Sequence, residues 1–579
     1  MPGSADAIQG AIHALESGGA AVWVRRALTT ALIAGLSLFY LLHEFRGLAT
    51  SQAMDHAQIG RALLQGHGWQ TNFARPLVAG QLERRGKNVA QKIWIDTFEA
   101  PLPPLLDAIA LLPVKSHLKM STQDVIYLGD RMIALTSILL FLASIGVLFF
   151  VVRRLFDQTV ALVSCVLILI GDIFWQYALS GLPQMLLLLL FCLTTYALVR
   201  AFEEEMAERP PARWLVFAGV GFGLLALAHG LTIWIFLPAL IFCALYFRSH
   251  LWTMLCLLAP FAILYLPWLI RNYLVCGNPL GAAFYSLFDQ VGLSGSGHMR
   301  QLSIDLQGMN LGSWRNKFTS NFTQQTGQLF RHFGWNPIAL CFFPAVLHRF
   351  RRSLPAMIRF VVLAMWLGAV AGMTVYGIDE ELGVGANQLH LLFVPIMTSF
   401  GLAYLLVQWS RLEISSRLAR LGFFALLFLL CGWPMLFNLL LGSTQAEVRW
   451  PPYAPPYISV LNDWMRPNEI TASDMPWAIA WYADRRAVWL PETLKDYTEL
   501  SDYQRLGGPI NGIYLTPISG SQNNLRDILK GEYKDWSGVI LRSVDLQKFP
   551  LKWATLLGLE NECVFFSDQN RQAASPSKK

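Results

Sequence analysis

About eleven stretches of this chain are apolar and nearly free of charge, and that pattern constrains its fold more than any other feature. They run over 27–42, 127–151, 157–179, 182–200, 214–232, 234–247, 251–270, 337–348, 357–377, 388–409 and 420–441. A helix needs roughly 20 apolar residues to cross about 30 Å of hydrocarbon. The sixth and eighth stretches are short for that. Only 14% of the 579 residues are charged and 54% are hydrophobic, where a soluble domain has about 25% charged. A soluble cytoplasmic enzyme, a disordered scaffold and a fibrous repeat are therefore excluded. The net charge of +7 reads as membrane topology and contact with anionic lipid, with nucleic acid excluded as a partner.

Sidedness follows from the arginines. Arg25-Arg26, Arg153-Arg154, Arg209 and Arg213, Arg248, Arg349-Arg351-Arg352, and Arg411, Arg417 and Arg420 all fall on alternate connections, which the positive-inside rule assigns to the cytoplasm. The N-terminus is then cytoplasmic and, after an odd number of crossings, the C-terminus lies outside. The first apolar run reads as an uncleaved span. Six of the eight cysteines lie in apolar stretches, and no Cys or Cys/His spacing suggests a disulfide framework or zinc site.

The fold expected is mainly α: a polytopic bundle of about eleven transmembrane helices with a small extracytoplasmic α/β domain. The domains are 1–441, carrying outer loops 43–126 and 271–336, and 442–579. In the tail, β-like runs at Glu469–Ser473, Ala487–Leu490, Gly512–Pro517 and Val539–Arg542 alternate with helix-like Pro476–Tyr482 and Asn523–Tyr533. The tail enters through the stiff Pro451–Pro456 segment. Trp477, Trp481 and Tyr482 read as core of that domain, with sugar or acceptor binding as the other reading. Asn321-Phe322-Thr323 is a glycosylation sequon on the outer side.

Motifs of soluble enzymes (P-loop, G-x-S-x-G, H-E-x-x-H) are absent. In the first outer loop, Thr50 or Ser51 caps a helix predicted to end near Gly66. Asp55 sits in its first turns, with Ile59 and Ala62 on the same face. An acid held against apolar surface at the membrane boundary is a candidate general base with a raised pKa. The plainer reading is an acid favoured by the helix dipole.

These residues resemble a known family. Asp55-His56, Ala57, Ala62 and Gly68-Trp69 are similar to the acidic helix and Gly-aromatic turn that follow the first span in GT-C membrane glycosyltransferases. The branch is that of protein O-mannosyltransferases and lipid A aminoarabinose transferases, with His56 standing where Glu is usual. Phe98-Glu99-Ala100-Pro101-Leu102-Pro103-Pro104-Leu105 resembles the family's Phe-Glu-Lys-Pro or Lys-Pro-Pro-Leu element without its Lys, and Asp130-Arg131 resembles the acid-Arg start of the second span. Pro267-Trp268-Leu269-Ile270-Arg271-Asn272-Tyr273 with Gly277-Asn278-Pro279 is close to a further signature, and Gln184 stands where that family usually carries Asp.

The resemblance implies a polyprenyl-phosphate-linked sugar as donor and a lipid, protein or polysaccharide as acceptor. It also implies inverting transfer outside the cytoplasm, in a bacterial inner membrane, with Asp55 as base. Donor phosphate would meet Arg271, Arg131 and a loop-one base, Arg85, Lys87 or Lys92. Arginine grips phosphate with two parallel hydrogen bonds, although Arg131 and Arg271 could equally reach for lipid headgroups. His56, Glu99, His390 and Asn387 are expected to line the cavity. Asp55, His56, His67 and Glu99 are candidate ligands for a divalent metal ion, their donor types suiting several metals. The alternatives are a transporter or flippase of lipid-linked sugar and a non-catalytic subunit of the same fold. Spans free of charge and a polar mass outside them favour surface chemistry over passage.

Overall fold

The structure is a computed structural model. It describes residues 19–48, 50–86, 94–122, 126–291, 298–304, 309–381, 383–414, 416–441, 455–519, 529, 533–541, 543, 549–557 and 563–574. The chain divides into two compact units, residues 1–46 and 47–579. In the first, the helix Gly19–Phe39 runs into one wider turn, Tyr40–Glu44, and Val22–Glu44 is long and apolar enough to span a bilayer.

In the second unit, Leu128–Leu155, Gln184–Met206, His250–Cys276, Ser353–Tyr376, His390–Arg411 and Arg417–Leu440 also meet that test. So does the pair Gln158–Leu169 and Asp172–Ser180, taken together and bent by 57°. The bend falls at Ile170-Gly171, where the indole of Trp175 donates to the Leu169 carbonyl at 2.8 Å and satisfies one group the break would orphan. Ala212–Ala228, Gly230–Tyr246 and Pro337–Leu347 are apolar but shorter. Each of the eleven stretches expected from the sequence is thus an apolar helix, and up to eight are long enough to cross. The molecule is a mainly helical integral membrane protein. Leu245, Leu251 and Ile263 are largely exposed on these helices, as suits side chains whose solvent is lipid.

The rest is a mixed sheet of six strands, in the order Phe73–Ala74, Arg486–Trp489, Ile470–Ser473, Ile510–Leu515, Cys563–Ser567 and Trp553–Leu557. The first four are parallel, and Cys563–Ser567 runs antiparallel to both its neighbours. Each parallel return in the tail passes through helical turns, as parallel pairing requires. Three of the expected strands are present. The fourth, Val539–Arg542, is a correction: Ser537–Ile540 is a helical turn, and Arg542 lies outside the described residues. The expected helix Asn523–Tyr533 and the first four residues of the Pro451–Pro456 entry also lie mostly outside them.

The edge strand Phe73–Ala74 belongs to the first outer loop, and its register on the tail is Phe73 opposite Ala487 and Ala74 opposite Val488. Tail and loop also share one core. Leu48, Met54, Ala57, Phe73, Trp477 and Trp481 pack together there, so residues 442–579 join the unit that begins at Gly47. Two polar grips fix this docking. Arg61 donates to the carbonyls of Trp481 at 2.8 Å and Ala480 at 2.6 Å, pairs with Asp484 at 2.9 Å, and lies over the Trp481 ring. From the other side, Asp130 accepts from the Trp481 indole at 2.7 Å and the Tyr482 hydroxyl at 2.8 Å. Trp477, Trp481 and Tyr482 are therefore core, as expected.

Candidate functional site

The site grows from the helix Ser51–Leu64. Thr50 is its N-cap, its hydroxyl accepting from the Ala53 amide at 3.2 Å. Gly60 lets the helix Leu102–Leu111 approach, because a Cβ there would lie 2.9 Å from both the Asp107 Cβ and the Pro104 carbonyl oxygen. Gln58 is a brace: its amide nitrogen donates to Asp55 at 2.8 Å and to the Thr71 hydroxyl at 2.6 Å, and its oxygen accepts from the Asn72 amide at 2.9 Å.

Asp55 is wholly buried and makes a 2.6 Å ion pair with Arg75. Arg75 leaves the carboxyl end of the edge strand Phe73–Ala74. Its guanidinium is 3.4 Å from Glu99 and 3.9 Å from Asp96, and it lies between the rings of Phe73, at 4.3 Å, and Phe98, at 3.8 Å. Glu99 in turn bonds His56 at 2.7 Å and accepts from Gln52 at 2.9 Å. Asp96 accepts from the backbone amides of Phe98 and Glu99.

Burial pushes Asp55 up to about 7 against the pull of Arg75, with Glu99 and Asp96 adding to the rise. Burial alone would raise Glu99 too, but the charge and hydrogen bond of His56, with Arg75 and Gln52, hold it down to about 2. Burial disfavours the imidazolium of His56, and Glu99 outweighs that and raises it. Burial also raises Asp96, opposed by the charges of Arg75 and Arg271. Burial takes Asp107 to about 7, with His56 pulling the other way, and one of its oxygens has no hydrogen-bond partner. The cluster thus contains one carboxylate fixed in its charged form and another that exchanges protons near neutrality, the pairing that acid–base chemistry uses.

The residues expected from sequence fall into separate groups. Asp55, His56 and Glu99 come together. Arg271 and Arg85 meet at the end of the helix His250–Cys276. Arg271 lies over Trp268 at 4.6 Å and donates to Asn272 at 2.8 Å, while Arg85 lies over Tyr273 at 5.5 Å. Trp69 packs on Trp268 at 5.2 Å, which carries this helix end to the first loop. Arg131 is half-buried at the start of Leu128–Leu155, and its buried Nε has no hydrogen-bond partner. Lys87 and Lys92 lie outside the described residues.

His390 and Asn387 form their own group. His390 accepts from the Trp366 indole at 3.1 Å and stacks on His332, and Asn387 donates to the Gly377 carbonyl at 3.1 Å. Gln184 holds the same segment, donating to the carbonyls of Gly385 and Ala386. The sequon closes as a site, because Asn321 is buried and its amide nitrogen donates to the Thr374 carbonyl at 3.0 Å.

The four candidate metal ligands are not grouped around a common point where an ion could sit. Asp55 is held by Arg75 and Gln58, His56 by Glu99, and His67 is exposed in the turn after the helix. Among the described residues no three His, Cys, Asp or Glu side chains are grouped to hold a metal ion. Sequence reading missed Arg75, Asp96, Gln58 and Asp107. The one signal for Arg75 was an arginine before a proline in an otherwise uncharged stretch of the first loop.

Residues 123–271 match the family model described as dolichyl-phosphate-mannose-protein mannosyltransferase. No curated protein sequence matches the chain. Among solved structures, ArnT from Cupriavidus metallidurans in the apo state is similar at 12% identity, with 96% of this chain and 100% of that one covered and a TM-score of 0.57. The same protein bound to undecaprenyl phosphate is similar at 12% identity over 93% and 98%, with a TM-score of 0.55. The Archaeoglobus fulgidus oligosaccharyltransferase AglB, in complex with an inhibitory peptide and a dolichol-phosphate, is similar at 12% identity over 88% and 71%, with a TM-score of 0.54. The chain has the fold of GT-C membrane glycosyltransferases.

Proposed function

We propose that this protein is a glycosyltransferase that moves a sugar from a polyprenyl-phosphate donor to an acceptor outside the cytoplasm. The observation that carries the reading is Asp55. It is a buried carboxyl poised near neutrality, beside an arginine, on the first outer loop of a GT-C fold. Similar structures hold undecaprenyl phosphate or dolichol-phosphate, which supports a lipid phosphate as leaving group. The alternating arginines support a cytoplasmic N-terminus and an outer C-terminus.

In the proposed reaction Asp55 accepts the proton of an acceptor hydroxyl. The acceptor oxygen bonds to the anomeric carbon, and the carbon–phosphate-oxygen bond breaks. The electron pair leaves on the polyprenyl phosphate, whose charge Arg271 and Arg85 meet at their shared helix end. A single displacement inverts the anomeric centre. His56 keeps Glu99 ionised, which holds Arg75 in place. His390 and Asn387 line a second part of the cavity, and residues 442–579 close the site from outside through the sheet that carries Arg75.

The test is transfer by the purified protein in liposomes, with a panel of radiolabelled polyprenyl-phosphate sugars and envelope extract as acceptor. The reading expects a labelled product whose anomeric configuration is opposite to the donor's. A product of retained configuration overturns the single displacement, and no transfer from any donor in the panel overturns the enzyme.

A further inference from the structure

As it stands Asp55 is closed to an acceptor. It is wholly buried, one oxygen is held by Gln58 and the other by Arg75. What releases it must come from outside the pair. Beside it lies a narrow cleft of about 20 Å³, walled by Thr71, Phe73, Arg75, Trp94, Asp96 and Leu506. Arg75 reaches that cleft and Asp55 does not, so anything that enters meets Arg75 first.

Arg75 is also the member of the cluster with bonds left to make. Its Nε is buried without a partner, and its Nη1 stands 3.9 Å from Asp96, beyond a hydrogen bond. The Phe73 and Phe98 rings lie against the guanidinium, whose Nη2 is shared between Asp55 and Glu99. An anion that offers two oxygens to the guanidinium makes a forked contact, which outmatches the single oxygen that Asp55 supplies. Competition from the other acids is low. Glu99 has His56 and Gln52, and Asp96 has two backbone amides and lies within the field of Arg271.

We infer that Arg75 exchanges partners: the phosphate of the lipid-linked donor draws it off Asp55, so that donor binding itself frees the base. The inference rests on the donor class proposed above. It adds that an acceptor hydroxyl meets a competent base only after the donor is in place.

The test is a binding cycle on the full-length protein in nanodiscs. The probe is a decaprenyl phosphodiester carrying a methyl group in place of the sugar, so that it binds without reacting. Arg75→Gln is expected to weaken binding at least tenfold, and Arg75→Lys to recover part of that loss, which separates the effect from misfolding. Asp55→Asn is expected to tighten binding about tenfold, the worth of one charge-assisted hydrogen bond no longer in competition. The deciding arm is Asp55→Asn in the Arg75→Gln background, where the tightening should vanish. Equal tightening in both backgrounds would mean that Asp55 merely repels the anion through space, and the exchange would be wrong. Native affinity in Arg75→Gln would overturn it as well. Failure of the native protein to bind the probe would sink the proposed donor class and the exchange together, whereas binding without coupling sinks the exchange alone.

Discussion

Arg61→Ala should unlatch the tail from the helix that carries Asp55. Arg61 is buried and donates to two backbone carbonyls, at 2.8 and 2.6 Å, with Asp484 at 2.9 Å on its outer side. Asp484 is half exposed, so its ion pair adds little. The two bonds from a charged donor to buried carbonyls are worth about 1.5–3 kcal/mol each. Their loss, with two carbonyls left dry, comes to about 3–6 kcal/mol locally. Every 1.4 kcal/mol is a factor of ten, so about 3 kcal/mol raises the open population of the turn at 479–483 by a factor of about 150. Hydrogen exchange by mass spectrometry on the detergent-solubilised protein reads this directly, and peptides covering 476–489 should lose protection by two orders of magnitude or more. Arg61→Lys should recover only part, since an ammonium lacks the fork that spans both carbonyls. Unchanged protection at 476–489 in Arg61→Ala would refute the reasoning, because the docking would then rest on the apolar core and the Asp130 grip without Arg61.

The acid limb of kcat/KM should bend near pH 7, since Asp55 must be deprotonated to accept a proton and burial sets its pKa at about 7. A limb near pH 4 would mean that the titrating base is an ordinary exposed carboxyl. Asp107, raised by burial to about 7, holds its proton in the folded protein after the unfolded chain has lost it. Its contribution to stability therefore falls as pH rises from about 4 to about 7, and Asp107→Asn should be the more heat-stable protein at pH 8 and not at pH 4. Gly60→Val should destabilise by about 1–3 kcal/mol through overpacking, read as a lower melting temperature, because its new Cβ meets the Asp107 Cβ and the Pro104 carbonyl at 2.9 Å.

The membrane helices were legible because length and lack of charge are local properties of the sequence. The Thr50 cap and Asp55 were legible for the same reason, since a cap and the turns after it depend on adjacent residues. Arg75 was not. Its meaning comes from a two-residue strand that pairs with residues 487–488, over four hundred positions away, and two residues carry no alternation to read. Val539–Arg542 misled because a short apolar run fits a strand and a buried helical turn equally. The carboxylate- and histidine-based metal reading failed on geometry: one helix carries Asp55 and His56, but each is drawn to a different partner.

The most direct measurement compares the native protein with Asp55→Asn in liposomes loaded with radiolabelled polyprenyl-phosphate sugar. The account predicts transfer by the native protein and its loss, by a factor of 10² or more as expected for a general base, in a variant that still binds the lipid phosphodiester. Transfer at the native rate by a folded Asp55→Asn protein would contradict it and move the base to another residue.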